Sequence, residues 1–276
     1  MTLPVYLQYY ERKDSLEKKL DIGGEAKLNG LTLKTDDYSV NVEYESNEIY
    51  LTEEKLKSTE SWITKIPFVR GILFLFIFLI KRSCPLPSKI FSLYILITFY
   101  LSLIFFSNKI GVVLVSVVTV VPLSLIILIA LLASKYPKYI DLYKFHGAEH
   151  ILVTSYEEDR SDLDGIDPFH YRCGSSYITM YLFFLIVFLF ISSWIPISTG
   201  IFIHHALVSE ISFLMKKIKF LRRLNIFGVL LQKKIALKPD KKHLLVGRIA
   251  LNRLLELEKS KEVFVKRSFI CERENV

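Results

Sequence analysis

One uncharged run of the chain, Ile110–Ala133, extends for twenty-four residues without an acid or a base. At the α-helical rise such a run crosses the roughly 30 Å hydrocarbon core of a bilayer. A second uncharged run, Ile90–Phe106, covers seventeen residues. Little more than Asn108-Lys109 connects the two, so they predict a tight transmembrane hairpin whose second arm is kinked at Pro122. The pattern recurs at Tyr177–Pro196 and Ile201–Met215. The last run is shorter, holds His204, His205 and Glu210, and reaches spanning length when extended back to Ile197. Ile66–Ile80 differs: its uncharged core, Gly71–Ile80, rises about 15 Å and predicts an interfacial or re-entrant helix.

Apolar residues make up 51% of the 276, an ordinary share, so their concentration into runs carries the argument. Disorder, a collagen-like chain and a disulfide scaffold are excluded. The net charge of +8 follows the apolar runs, as at Lys216-Lys217-Ile218-Lys219 and Arg222-Arg223. With no base-reading motif beside it, this charge points to a membrane surface and not to nucleic acid. Lys65, Arg70, Lys81, Arg82, Lys89, Lys135, Lys138, Lys144, Arg172 and the Lys216–Arg223 cluster share one side of the expected topology, against Lys109 on the other. That asymmetry makes the basic side cytoplasmic and predicts a multi-pass protein of the cell membrane with both termini in the cytoplasm. Cys84, Cys173 and Cys271 are an odd number without CxxC spacing, which fits a reducing compartment.

The expected architecture is an α-helical polytopic membrane protein. About four transmembrane helices form two hairpins beside the short interfacial or re-entrant helix, with a small N-terminal β segment and cytosolic helices. Residues 1–65 form the cytosolic N-terminal segment; Glu25–Lys34, Tyr38–Glu45 and Glu48–Thr52 alternate with period two between turn signals and predict a small antiparallel sheet. Residues 66–133 hold the interfacial helix and first hairpin, 134–176 a cytosolic polar section, 177–215 the second hairpin, and 216–276 a basic, helical C-terminal region. There Pro239-Asp240 opens a helix whose stripe of Leu244, Leu245, Ile249, Leu251, Leu254, Leu255 and Leu257 predicts packing on the cytosolic domain.

The polar section opens Phe145-His146-Gly147-Ala148-Glu149-His150. On a helix, His146 and His150 project from one face about 6 Å apart, a spacing that holds one metal ion. Glu149 between them completes His-x-x-Glu-His, in which two histidines bind zinc and the glutamate activates water. Glu157 follows two turns down the same face, and His170-Tyr171-Arg172-Cys173-Gly174 adds an imidazole, a guanidinium and a thiol. These are the donor types of a divalent transition-metal site, with zinc the first candidate. Glu210, an acid about 9 Å of helix inside the basic edge, requires a partner and is a further candidate ligand. His204 and His205 read more simply as neutral histidines hydrogen-bonding between helices. The acidic run Glu157-Glu158-Asp159 with Asp162, Asp164 and Asp167 lacks EF-hand spacing and reads as a solvated loop.

In order along the chain, these blocks resemble the YqhQ-like proteins, a bacterial membrane family of unknown function labelled predicted metal-dependent enzymes. Gly23-Gly24-Glu25-Ala26 through Leu33 is similar to the family's GGQAVxEGVMMR segment, and Pro67–Gly71 to its PFxRG. His146–His150 reproduces its HGAEH, continued by Tyr156-Glu157, and His170–Ser176 resembles its HPRCGTS. Ser209-Glu210 and the stretch from Leu230-Leu231-Gln232 to Pro239-Asp240 are weaker matches. Glu25, Asn29, Lys34 and Tyr171 stand where the family has Gln, Glu, Arg and Pro, and no site residue is placed in the N-terminal segment. The resemblance implies a shared membrane fold and a bound metal, with no substrate.

Together these readings lead to a metal-dependent hydrolase at the cytoplasmic membrane surface. His146 and His150 hold the metal, and Glu149 is the general base. A further ligand comes from Glu157, His170, Cys173 or Glu210, and Arg172 stabilises an anionic intermediate. The lipid bilayer and other membrane proteins are its expected partners, and no oligomeric state follows from the sequence. The alternative is a non-enzymatic scaffold or regulator of membrane-protein biogenesis or envelope homeostasis. Transport, suggested by His204, His205 and Glu210, lacks the internal repeat of transporter folds.

Overall fold

The computed structural model of the chain describes residues 19–46, 48–56, 66–71, 73, 121, 124–125, 127–129, 131–191, 197–218, 220, 225–260 and 267–270. The chain divides into two compact units. The first draws on residues 1–59, 131–170 and 232–276, the second on 60–130 and 171–231.

The first unit is built on an antiparallel sheet of β1 (Gly23–Lys27), β2 (Gly30–Lys34), β3 (Tyr38–Glu45), β4 (Glu48–Lys55) and β5 (Arg267–Ile270), in that spatial order. Short polar turns set its register. Leu28-Asn29 joins β1 to β2 with Lys27 opposite Gly30. At the next corner the Tyr38 amide donates to Thr35 Oγ1 at 3.1 Å, and Thr35 N–H donates back to the Tyr38 carbonyl at 2.8 Å. Period-two alternation then sorts the side chains. Leu31, Leu33, Tyr38, Val40, Val42, Ile49 and Leu51 are buried on one face. Thr32, Asn41, Glu43 and Lys27 lie on the other, linked by polar contacts such as Lys27 Nζ to Asn41 Oδ1 at 2.7 Å.

Two helices cover the apolar face. α1 (Pro137–Glu157) starts with proline in its first turn, where the missing N–H costs no hydrogen bond. It packs on β1 and β2. The second covering helix, Lys241–Ser260, lies over β2 and β3 and against α1. Its start is fixed at Asp240, whose carbonyl accepts from the His243 and Leu244 amides. Leu251, Leu254 and Leu257 of the expected stripe are fully buried, with Leu152 of α1 in the same core. Gly247 allows the two helices to approach, since a Cβ there would overlap Leu152. The charged pair inside this core is satisfied: Arg253 Nε donates to Glu53 Oε1 at 2.6 Å and Nη2 to Oε2 at 3.1 Å.

The second unit contains α2 (Gly174–Ile191) and α3 (Ile197–Lys217), packed through Met180, Tyr181, Leu185, Val208 and Met215. α4 (Ile226–Ile235) belongs to the second unit up to Leu231 and to the first from Gln232. The covering helix Lys241–Ser260 is α5.

The expected polytopic membrane architecture is overturned. Among the described residues no helix is long and apolar enough to cross a membrane. The runs counted as the second hairpin fold as helices that are short or interrupted by polar groups. α2 has eighteen residues, about 27 Å of rise against a roughly 30 Å hydrocarbon core, and it opens Gly174-Ser175-Ser176-Tyr177. α3 is longer but carries His204, His205 and Glu210 buried along its length and ends at Lys216-Lys217. The first hairpin, 90–106 and 110–133, and the core of the expected interfacial helix fall mostly outside the described residues.

Candidate metal centre

α1 presents the HGAEH segment in the middle of its length, and each position has a separate physical role. Phe145, Ala148 and Leu152 are buried in the core beneath the sheet's apolar face. Gly147 faces the Leu237 backbone so closely that a Cβ would overlap its carbonyl oxygen. His146 and His150, one turn apart, stack edge to face with ring centroids 4.4 Å apart. His170, arriving from the segment after α1, brings a third imidazole 6.1 Å from His150.

The backbone fixes the ring orientation of the pair. His146 Nδ1–H donates to the Ile235 carbonyl and His150 Nδ1–H to the Pro168 carbonyl, each at 3.1 Å. A carbonyl oxygen only accepts, so both Nδ1 atoms carry the hydrogen, and the neutral form of each ring has its lone pair at Nε2. A backbone carbonyl behind one ring nitrogen is the arrangement that orients histidine ligands toward a metal. His150 is buried, with 2% of its surface exposed.

His170 is held differently. Its Nε2–H donates to Glu157 Oε2 at 3.1 Å. The Gln232 side chain clamps its main chain from both sides: His170 N–H donates to Oε1 at 2.7 Å, and Gln232 Nε2 donates to the His170 carbonyl at 3.0 Å. Gln232 is fully buried, so both of its polar ends are used where water cannot replace them.

Glu149 points from α1 onto β1. A Cβ built on Gly24 would lie 2.5 Å from Glu149 Cγ and 2.6 Å from Cδ and Oε1. The carboxylate therefore occupies the space a side chain at residue 24 would take. His146, Glu149, His150, Glu157 and His170 thus all lie in the first unit.

Arg172, Cys173 and Glu210 belong to the second unit. The Arg172 guanidinium lies 5.8 Å from the Tyr171 ring, and Cys173 Sγ is 3.1 Å from Ser175 Oγ. Glu210 receives Arg70 Nε at 2.8 Å, Arg70 Nη2, and the Phe68 amide at 2.7 Å. Phe68 adopts φ of 62° to deliver that amide, a conformation that is costly for a bulky residue. The buried acid therefore has a bidentate cation and a backbone donor within its own unit. Near it, His205 Nε2–H donates to the Gly71 carbonyl at 3.0 Å and His204 Nε2–H to the Tyr181 carbonyl at 3.1 Å.

Sequence reasoning passed over Gly24, Gln232, and the Ile235 and Pro168 carbonyls. The Gly23-Gly24 pair is visible in the sequence, but nothing local to it points to Glu149. The two carbonyls have no side-chain signature. Arg70 of the PFVRG block is the cation that pairs with Glu210, a partner that sequence reasoning did not name.

Fold and site together define an α+β unit in which a histidine- and carboxylate-bearing helix lies across an antiparallel sheet. The chain belongs to the family described as protein of unknown function DUF1385, which it matches over residues 37–257. No curated protein matches it. No solved structure matches it either.

Proposed function

We propose that the chain is a divalent-metal-dependent hydrolase. His146 and His150 hold the ion, with zinc the first candidate, and Glu149 is the general base. Support comes chiefly from the two Nδ1–H donations to backbone carbonyls, which leave both histidines in the tautomer that offers Nε2. His170, Glu157 and Cys173 are the candidates for a further ligand; Cys173 follows His170 by three residues, which tethers it within about 10 Å. Arg172 is the candidate for stabilising a developing negative charge. A bound zinc would supply Lewis acidity and a more acidic water. Glu149 would take a proton from that water while its oxygen attacks the substrate's electrophilic centre. Within its family we assign the chain to the YqhQ-like proteins, on the strength of HGAEH and of His170-Tyr171-Arg172-Cys173-Gly174.

Metal analysis by mass spectrometry on the purified full chain tests this reading. Near one equivalent of transition metal is expected in the wild type and in Glu149→Gln, and little in His146→Ala/His150→Ala. A wild type that stays empty after zinc supplementation sinks it. The Gln232 clamp favours a second reading, in which the cluster knits α1 to the 160–170 segment without catalysis. X-ray absorption showing four protein ligands and no water would decide for that closed, structural site.

A further inference from the structure

The hydrolytic reading of Glu149 leaves its substrate open, and the strand beneath that carboxylate narrows the choice. β1 is at the edge of the sheet, and among the described residues it pairs only with β2. The two-residue connection makes Lys27 and Gly30 the hydrogen-bonded closing pair of the hairpin. Alternation then turns the N–H and C=O of Gly23, Glu25 and Lys27 toward β2. Those of Gly24 and Ala26 point away from it, along the outer edge. Gly24 is also the residue whose absent Cβ makes room for Glu149. The outward backbone groups of β1 and the proposed general base therefore meet at one residue.

We propose that the substrate is a polypeptide in extended conformation, bound as an added strand on the outer edge of β1 with its backbone beside Glu149. The inference rests on the hydrolytic reading of that residue. The chemistry of the edge selects the class. Gly24 and Ala26 offer donors and acceptors at the two-residue repeat of a strand, about 7 Å, and another extended backbone matches that repeat group for group. A sugar, phosphate or acyl chain does not. Specificity for side chains would then be low near Gly24, where this sheet has none of its own. In the cleavage step, water gives a proton to Glu149 and its oxygen to the peptide carbonyl carbon. The C–N bond breaks, and the proton passes to the leaving nitrogen.

Amide hydrogen exchange on the full-length Glu149→Gln protein, resolved to single residues by fragmentation, tests the docking directly. The probe is a mixture of unstructured decapeptides of randomised sequence. Exchange at Gly24 and Ala26 is expected to slow more than tenfold with peptide, and to stay fast with the same mixture N-methylated along its backbone. Ala26→Pro removes one outward N–H and keeps the β1–β2 bonds; it is expected to abolish the protection at Gly24. Unchanged exchange with peptide overturns the proposal. So does exchange already slow without peptide, because residues 1–18 or a second copy would then hold the edge. Metal content of the same sample separates the two ideas: peptide-dependent protection in a metal-free protein supports the strand docking and defeats the hydrolytic reading.

Discussion

Gly147 lies within the motif helix and Gly24 faces it, yet substitution at the two should have opposite consequences. An Ala in place of a helix-interior Gly ordinarily gains about 1 kcal/mol. At Gly147 the new Cβ would meet the Leu237 carbonyl, a backbone atom that cannot rotate aside. The overlap outweighs the propensity, and Gly147→Ala is expected to lower stability by about 1–3 kcal/mol in urea titration. At Gly24 the obstacle is the far part of the Glu149 side chain, which can swing away. Gly24→Ala should therefore change stability by less than about 1 kcal/mol, retain bound metal and lose hydrolysis through displacement of the base. A Gly24→Ala protein as active as wild type would remove Glu149 from the reaction. The histidines and Glu149 were legible because the helical period places them within one turn. Gly24 and Gln232 were not, since each reaches the motif from far along the chain.

The junction of α1 with the start of α5 carries the pH sensitivity of the first unit. Burial would push Asp141 up, but Lys242 Nζ at 2.7 Å and His243 outweigh it and hold the carboxyl below its ordinary value. Lys144, 2.6 Å away, does the same for Asp240. Burial, aided by Lys242, pushes His243 down against the pull of Asp141. Its geometry agrees with a neutral ring: Nδ1 accepts the Asp240 amide at 3.2 Å, and Nε2–H faces Asp141 Oδ1 at 3.3 Å. All three shifts are downward, so their stabilisation is complete above the unfolded-state values and lost as pH falls. His243 acts first, below its ordinary value of 6.5, because the unfolded chain takes up that proton more readily. Asp141 and Asp240 follow below 3.8. The urea midpoint should fall from pH 7 to 4, and His243→Gln should flatten that part of the profile. A wild-type midpoint flat across that range contradicts the assignment. At this scale the sequence was informative for strands and for the α5 stripe, whose periods are local. It misled on α2 and α3, where hydropathy summed along a run weighed buried His204, His205 and Glu210 too lightly.

The first unit is assembled from three separate stretches of chain, and this governs when its core can form. The apolar face of β2 and β3 is complete by residue 45, but α1 arrives after residue 136 and α5 after residue 240. Glu53, whose side chain is fully buried, pairs with Arg253 from far along the chain. Until then the sheet exposes Leu31, Leu33, Val40 and Val42, and the carboxylate of Glu53 has no bidentate partner to offset its burial. Such long-range closure is invisible to periodicity: three alternating runs read as a sheet and the α5 stripe reads as a packing face, while the pairing of Glu53 with Arg253 has no local signal. A chain ending at Pro239 should therefore leave the sheet unprotected, with rapid tryptic cleavage at Lys27 and Lys34. A chain ending at Ser260 has α5 and Arg253 and should resist cleavage there at least tenfold longer. Equal protection in the two would mean that α1 alone closes the sheet. The Glu53–Arg253 pair would then be a late addition to an already formed unit and not a condition of its folding.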